Sequence, residues 1–283
     1  MKKAVSFIIT AAIMAMSLAG CSSTSDNITV VSREDGSGTR GAFVELFGVE
    51  VKNDGGEKVD MTTDSAEITN STAVMMTTVA ANENAIGYIS LGSLNSSVKA
   101  LKIDGAEASA ENIKNGSYKV SRPFNIAVTD NAGKTAKDYI SYILSADGQS
   151  IVESKGYISI GSGEAYENSG VSGKLTISGS SSVYPVMEKL TEAYCAINPN
   201  VEIELQQSDS STGISDAMGG ISDIGMASRE LKESELEAGL TPITIAIDGI
   251  AVVVSPNSSI DSLTTEQVRQ IFTGEVTAWS NVR

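Results

Sequence analysis

A β-branched run, a short loop of small residues and an amphipathic helical stripe follow one another three times in this chain, and that recurrence narrows its fold most. The first copy runs from residues 28–31 through Ser32-Arg33-Glu34-Asp35-Gly36-Ser37-Gly38-Thr39-Arg40 into Ala42, Phe43, Leu46 and Phe47. The second passes from residues 175–178 through Gly179-Ser180-Ser181-Ser182 into Val183, Val186, Met187, Leu190 and Ile197, with Pro185 suited to a first helical turn. In the third, Val201, Ile203 and Leu205 alternate as a half-buried strand before Ser208-Asp209-Ser210-Ser211-Thr212-Gly213, and Ile214, Ala217 and Met218 follow. Short β runs alternating with helical stripes read as an α/β protein.

Each loop delivers the chain to a helix N-terminus, where the first amides lack intrahelical partners and sit at the positive end of the dipole. Glycines there let the backbone approach a ligand closely, so the arrangement favours an anion. Ser37 and Thr39 add hydroxyls, Arg33 offers a planar fork suited to a tetrahedral oxyanion, and Asp35 stands close enough in sequence to hold that fork. One such loop alone is explained by capping, since serine and threonine cap helices with or without a ligand. Three together point to one shared site, because an anion stripped of water needs many donors at once. Ser228 and Arg229, at the end of the strand expected in Asp223-Ile224-Gly225-Met226-Ala227-Ser228-Arg229, place a second arginine among the candidates. Gly36-Ser37-Gly38-Thr39-Arg40-Gly41 also fits GxGxxG, but the strand–helix–strand unit of a dinucleotide site does not evidently follow it.

Composition removes other chemistries. The chain has no histidine, which takes away the commonest general base and the commonest transition-metal ligand together. Only Cys21 and Cys195 are present, so neither a disulfide framework nor a cysteine metal cluster is expected, and no cofactor or metal is called for. A net charge of −15 opposes nucleic acid, whose phosphates demand a basic stripe. It does not oppose a small anion, because local amides and one or two arginines set the field in a pocket. With no base poised beside a nucleophile, an enzyme is not expected.

Lys2 and Lys3 precede an apolar run over residues 4–18, and Leu18-Ala19-Gly20-Cys21 follows, the pattern of an export signal over residues 1–20 that is too short for a comfortable membrane span. Leu-Ala-Gly-Cys resembles the bacterial lipobox. That resemblance implies cleavage before Cys21, a lipid such as palmitate on its thiol, a tether over residues 21–27, and attachment to the outer face of the plasma membrane.

Along the rest of the chain, Asn70-Ser71-Thr72 caps a helix reaching Val79, residues 86–90 and 98–103 read as strands, and a brief helix from Ser109 stops at Gly116. Residues 124–128 follow as a strand after Pro123. Ala136, Tyr139, Ile140, Ile143 and Leu144 fall on one helical face that Ile151 and Val152 extend to Gly156. Residues 161–173 are a Gly/Ser/Glu-rich linker, residues 243–247 and 249–254 are buried strands, and Thr264 with Gln267 forms a capping box for a last helix closed by Gly274.

Residues 31–40, Ile177-Ser178-Gly179-Ser180-Ser181-Ser182, residues 223–229, Asp248-Gly249-Ile250 and Ile271-Phe272-Thr273-Gly274-Glu275 resemble the phosphate-binding proteins of bacterial ABC phosphate importers. The resemblance spans nearly all of the chain after the signal. It implies a two-lobed periplasmic-binding-protein-like fold of type II closing on dehydrated phosphate, delivery to a membrane permease, and a monomer. Residue by residue it implies Arg33, Ser37, Gly38 and Thr39 as phosphate ligands with Asp35 positioning the arginine. Ser181 and Ser182 match one serine loop and Ser210 or Ser211 the other, with the touching hydroxyl of each run left open. Where some members place an aspartate that accepts the proton of hydrogen phosphate, this chain has Arg229 after Ser228. Sulfate or another tetrahedral oxyanion is therefore an alternative ligand, and a phosphate-sensing or adhesive surface lipoprotein an alternative role.

Members of that family run from the Gly179 loop through Trp279 before reaching the Arg33 loop, whereas here the halves are exchanged, as in a circular permutation or a truncated tandem fusion. Crossings between lobes are expected at residues 86–90 and 249–255. They put residues 28–88 and 256–283 in the lobe of the Arg33 loop and residues 89–255 in the lobe of both serine loops.

Overall fold

The computed structural model describes residues 26–53, 55–161 and 163–282. The expected export signal and the expected lipidation at Cys21 lie outside the described residues. In chain order the elements are β1 (Thr29–Arg33), α1 (Gly38–Leu46), β2 (Glu50–Lys52), β3 (Lys58–Asp60), β4 (Glu67–Thr69), α2 (Thr72–Ala81), β5 (Ala85–Ser90), β6 (Lys99–Ala100), β7 (Lys102–Ile103) and α3 (Ala110–Lys114). There follow β8 (Ser121–Thr129), α4 (Lys134–Leu144), α5 (Ala146–Ser154), β9 (Gly173–Ser180), α6 (Tyr184–Ile197), β10 (Val201–Ser208) and α7 (Ser210–Met218). The chain closes with β11 (Ile224–Ala227), α8 (Glu233–Glu237), β12 (Leu240–Val254), β13 (Ser262–Leu263) and α9 (Thr265–Phe272).

The principal sheet runs β10-β9-β11-β8-β12-β5-β1-β4, with β6 also on β12. Its parallel pairs are those that flank the loop-and-helix crossovers, β1 with β5 and β4, and β9 with β10 and β11. The long β12 joins the two halves. Leu240 through Gly249 pair with β8, and Ile250 through Val254 pair with β5. On one side of that change Val30, Phe43, Tyr88, Val252, Val268 and Phe272 share a core, while on the other Phe124, Ile177, Val186, Leu190, Tyr194 and Met226 share another. This is a two-lobed α/β fold.

The structure corrects three sequence expectations. Leu101, Ile103, Tyr118 and Val120 pack into the core of Phe43 and Phe272, so the residues before β8 belong with the Arg33 loop, and the crossing expected at residues 86–90 falls instead at the Val120–Ser121 step. Tertiary burial of these few apolar residues, invisible to periodicity, decides the matter. The helix expected to continue to Gly156 breaks at Ser145, which is extended (φ −71°, ψ 168°) and caps α5 by accepting from the Gly148 amide at 3.3 Å. Lastly, the strands expected on either side of Asp248 are one strand, because Asp248 keeps its place in the ladder opposite Arg122.

The two ends of the described chain lie together. Ile28 donates from its amide to the Thr277 carbonyl at 2.8 Å, Trp279 donates to the Asp26 carbonyl at 3.0 Å, and Asn27 bridges Ala278 in antiparallel fashion.

Candidate oxyanion site

The Gly179 and Ser208 loops leave the parallel strands β9 and β10 at one end of their half of the sheet, while the Arg33 loop leaves β1, parallel to β5, in the other half. β1 runs opposite to β9 and β10 across the sheet, so the loops and the helices they enter face one another from the two lobes. Ser37 caps α1 by accepting from the Arg40 amide at 3.3 Å, and Asp209 caps α7 by accepting from the Thr212 amide at 2.9 Å. Tyr88 fixes the exit of β1 from below: its hydroxyl accepts from the Arg33 amide at 3.1 Å and bonds Ser32 Oγ at 2.8 Å. Burial pushes that phenol up to about 12, so it stays a neutral anchor.

The loops meet across the two lobes. Arg33, 2% exposed, donates from Nη2 to Ser181 Oγ at 3.0 Å, and Thr39 Oγ1 lies 2.8 Å from Ser182 Oγ. Thr72 Oγ1, from the start of α2, reaches the same Ser182 hydroxyl at 3.2 Å. Ser228 Oγ lies 3.0 Å from Ser180 Oγ and 3.3 Å from Ser210 Oγ, while the Ser228 amide donates to Ser210 Oγ at 3.1 Å. Every one of these hydroxyls is buried. Gly38 permits the approach, since a Cβ there would sit 2.5 Å from Ser210 Oγ and 2.8 Å from Ser228 Oγ. Gly36 permits it likewise, its carbonyl accepting from the Ser211 amide at 3.2 Å, where a Cβ would sit 2.3 Å from Asp209 Oδ1.

Of the residues expected at the site, Arg33, Thr39, Ser181, Ser182, Ser210 and Ser228 come together as a buried guanidinium and hydroxyls, with Gly38 packed against Ser210 and Ser228 and Ser37 buried on the same loop as the cap of α1. Three candidates are placed differently. Asp35 does not hold Arg33: its carboxylate, 95% exposed, pairs with Arg40 at 2.8 Å. Glu34 takes that role, accepting from Arg33 Nε at 2.8 Å and Nη2 at 2.7 Å, because the tight loop turns Asp35 outward and Glu34 back along the guanidinium. Ser211 meets the Arg33 loop through its amide, and its hydroxyl instead accepts from Arg229 Nη2 at 3.4 Å. The Arg229 guanidinium is engaged by Glu235, at 2.8 Å to each carboxylate oxygen. Burial pushes the Glu235 carboxyl up, but the hydrogen bonds from Arg229 and the Lys232 amide, together with the charges of Arg229 and Lys232, outweigh it and hold the group below its ordinary range. Arg229, Arg40 and Lys232 line a cavity of about 450 Å³ beside the hydroxyl cluster.

Sequence reasoning missed Thr72, Ser180, Glu34 and a buried ion pair, Arg122 with Asp248. Arg122 donates from Nη1 to the Ser228 carbonyl at 3.1 Å and from Nη2 to Asp248 Oδ2 at 3.2 Å. The available signal was a charge inside an otherwise apolar run, Asp248 between residues 243–247 and 249–254. Among the described residues no group of three or more acidic or cysteine side chains could hold a metal ion, and no helix is long and apolar enough to cross a membrane.

Comparison with known proteins agrees with this geometry. A family model described as PBP superfamily domain matches residues 21–147 and 164–282. Phosphate-binding protein PstS 2 of Streptococcus agalactiae is 58% identical over 271 residues, covering 94% of this chain and 92% of that protein. The crystal structure of a phosphate-binding protein of a phosphate ABC transporter from Streptococcus pneumoniae is 44% identical, covers 91% of this chain and 100% of that one, and superposes with a TM-score of 0.72. Phosphate-binding protein PstS of Bacillus subtilis aligns over 113 residues only, at 32% identity, which is 39% of this chain and 38% of that protein.

Proposed function

The chain belongs to the PBP superfamily and, within it, to the phosphate-binding proteins of ABC transporters, and from that premise we propose that it is an extracytoplasmic receptor that closes two lobes over inorganic phosphate and hands it to an import permease. The observation that carries this reading is the meeting of the Arg33 loop of one lobe with the serine loops of the other. Arg33 and six or more buried hydroxyls cannot stay dry cheaply unless they bond one another or an oxyanion. In the reading proposed here, the hydroxyls that now bond across the lobes turn toward phosphate oxygens, with the first amides of α1 beside them at the positive end of its dipole. Arg33 supplies the positive charge, and Glu34 holds its plane.

Phosphate needs discrimination from sulfate. The carboxylates on the meeting loops are engaged, Glu34 by Arg33, Asp35 by Arg40 and Asp209 by Thr212, and the position after Ser228 is Arg229. Nothing on these loops is disposed to accept the proton of hydrogen phosphate. The dibasic ion is then held at least as well as the monobasic one, and affinity persists as pH rises through phosphate's second ionisation. Calorimetric titration across that range tests this, with sulfate in a parallel series: a steep loss of phosphate affinity on raising pH would show a carboxylate acceptor, and equal sulfate binding would make the protein a general oxyanion receptor.

Around this core we place a lipid at Cys21 that tethers a monomeric receptor to the outer face of the plasma membrane, with no enzymatic role. We further propose that the exchanged order of the halves is a circular permutation. The juxtaposed ends at Asp26–Ile28 and Thr277–Trp279 support it, as does the partial alignment to the Bacillus subtilis protein.

A further inference from the structure

The Arg122–Asp248 pair lies where the two lobes are joined, and the mechanism above makes no use of it. Arg122 and Asp248 are cross-strand partners on β8 and β12, the two strands that pass between the lobes. β12 keeps β8 as its partner through the next residue, Gly249, and changes to β5 at Ile250, while β8 starts one residue before Arg122, at Ser121. Asp248 reaches into the first lobe, accepting from Ser90 Oγ at 2.9 Å and the Gly92 amide at 3.4 Å, while Arg122 reaches into the second, donating to the Ser228 carbonyl. Tyr157 closes the cluster from the second lobe; a Cβ on Gly92 would sit 2.2 Å from its ring. Arg122 Nε, Tyr157 Oη and Ser93 Oγ are buried there with no hydrogen-bond partner among the described residues. A merely structural pair would be an expensive choice, since replacing such a pair by apolar residues is often neutral or stabilising.

Resting on the phosphate reading, we propose that Arg122 and Asp248 are positioning residues: they couple the angle between the lobes to the placement of Ser228, so that closure and assembly of the hydroxyl cluster are one event. The pair is sensitive to protonation. Burial pushes the Asp248 carboxyl up to about 6 against the pull of Arg122, and burial likewise lowers Arg122; the other groups facing them are neutral Tyr157, Ser90 and the Gly92 amide, with Arg33 acting on Arg122 from the site. Mild acid therefore releases Arg122 from its partner.

The test compares wild type, Asp248→Asn and Ser90→Ala for phosphate affinity by calorimetry and for phosphate-induced compaction by small-angle scattering, at pH 7.5 and pH 5. At pH 7.5 Asp248→Asn is expected to bind roughly threefold to thirtyfold more weakly and to compact less, the range for substitutions along a coupled element. At pH 5 the wild type should approach the variant, so the ratio of their affinities falls toward one, and taking the ratio cancels phosphate's own titration. Ser90→Ala, which keeps the ion pair and removes one contact with the first lobe, should shift the same way by less. Variants that bind and compact like wild type at both pH values overturn the proposal. A wild type that does not bind phosphate overturns instead the reading on which it rests.

Discussion

Arg33 has its guanidinium plane set by two hydrogen bonds to Glu34 and one to Ser181, so its contribution to binding depends on a neighbour that the sequence motif does not single out. Arg33→Ala is expected to weaken phosphate binding by about 2–5 kcal/mol, the scale for truncating one partner of a buried charge pair, and Arg33→Lys should not fully restore it. Glu34→Ala should follow in the same direction while Asp35→Ala, altering an exposed surface pair, leaves affinity nearly unchanged. Titration calorimetry on the set separates the two acids. Gly38→Ala forces a methyl into Ser210 and Ser228, and should cost binding roughly the 1–3 kcal/mol of an overpacked contact with little loss of stability in an opened form. The residues that could be read from sequence were those whose chemistry is local, such as the hydroxyls and glycines of each loop. Thr72 and Glu34 were not, because one reads as an ordinary helix start and the other's role depends on which way a tight loop turns.

Elements were legible where one face is apolar and a cap marks the start. α1, α2, α6, α7 and α9 begin close to their expected residues, and the capping box of Thr264 and Gln267 is present. Ser145 shows the limit: its flanking residues share one helical face, yet its hydroxyl gains a cap on Gly148 and donates to the Tyr142 carbonyl at 2.7 Å, and the helix divides. Ser145→Ala should therefore destabilise the fold by about 1 kcal/mol, measurable by urea unfolding, where an uninterrupted helix would tolerate or welcome alanine. β12 was harder still, since Asp248 interrupts the apolar run without interrupting the strand. Its carboxyl, raised by burial from 3.8 to about 6, favours the protonated native state. The stability this group lends is present below about pH 4 and lost as pH rises through about 6, so the stability difference between wild type and Asp248→Asn should decline across that window and then level off. Denaturant titrations at pH 4, 5, 6 and 7 check the sign.

At the level of the whole molecule, the lobe boundaries and the order of the halves depend on contacts far apart in sequence. The packing of Leu101, Tyr118 and Val120 under Phe43 is such a contact, and so is the antiparallel pairing of the two chain ends. If the order is a permutation, linking residue 282 to residue 27 through a few glycines and reopening between Glu167 and Gly173 should yield a monomer that binds phosphate like the parent. An obligate dimer by light scattering would favour a truncated tandem fusion whose halves pair between molecules. The reopened segment is held by Tyr166, which donates to Asp138 at 2.5 Å, and by Asn168, which donates to the Ile197 carbonyl at 2.6 Å, so cutting beyond these residues spares both ties. The proposal that Arg33 and the serine loops hold phosphate between the lobes is tested most directly by titrating phosphate calorimetrically into the protein lacking residues 1–21, with a metal chelator present. One phosphate per chain, bound with the chelator present and lost in Arg33→Ala, is the expected result; no binding, binding abolished by the chelator, or binding indifferent to Arg33 would contradict it.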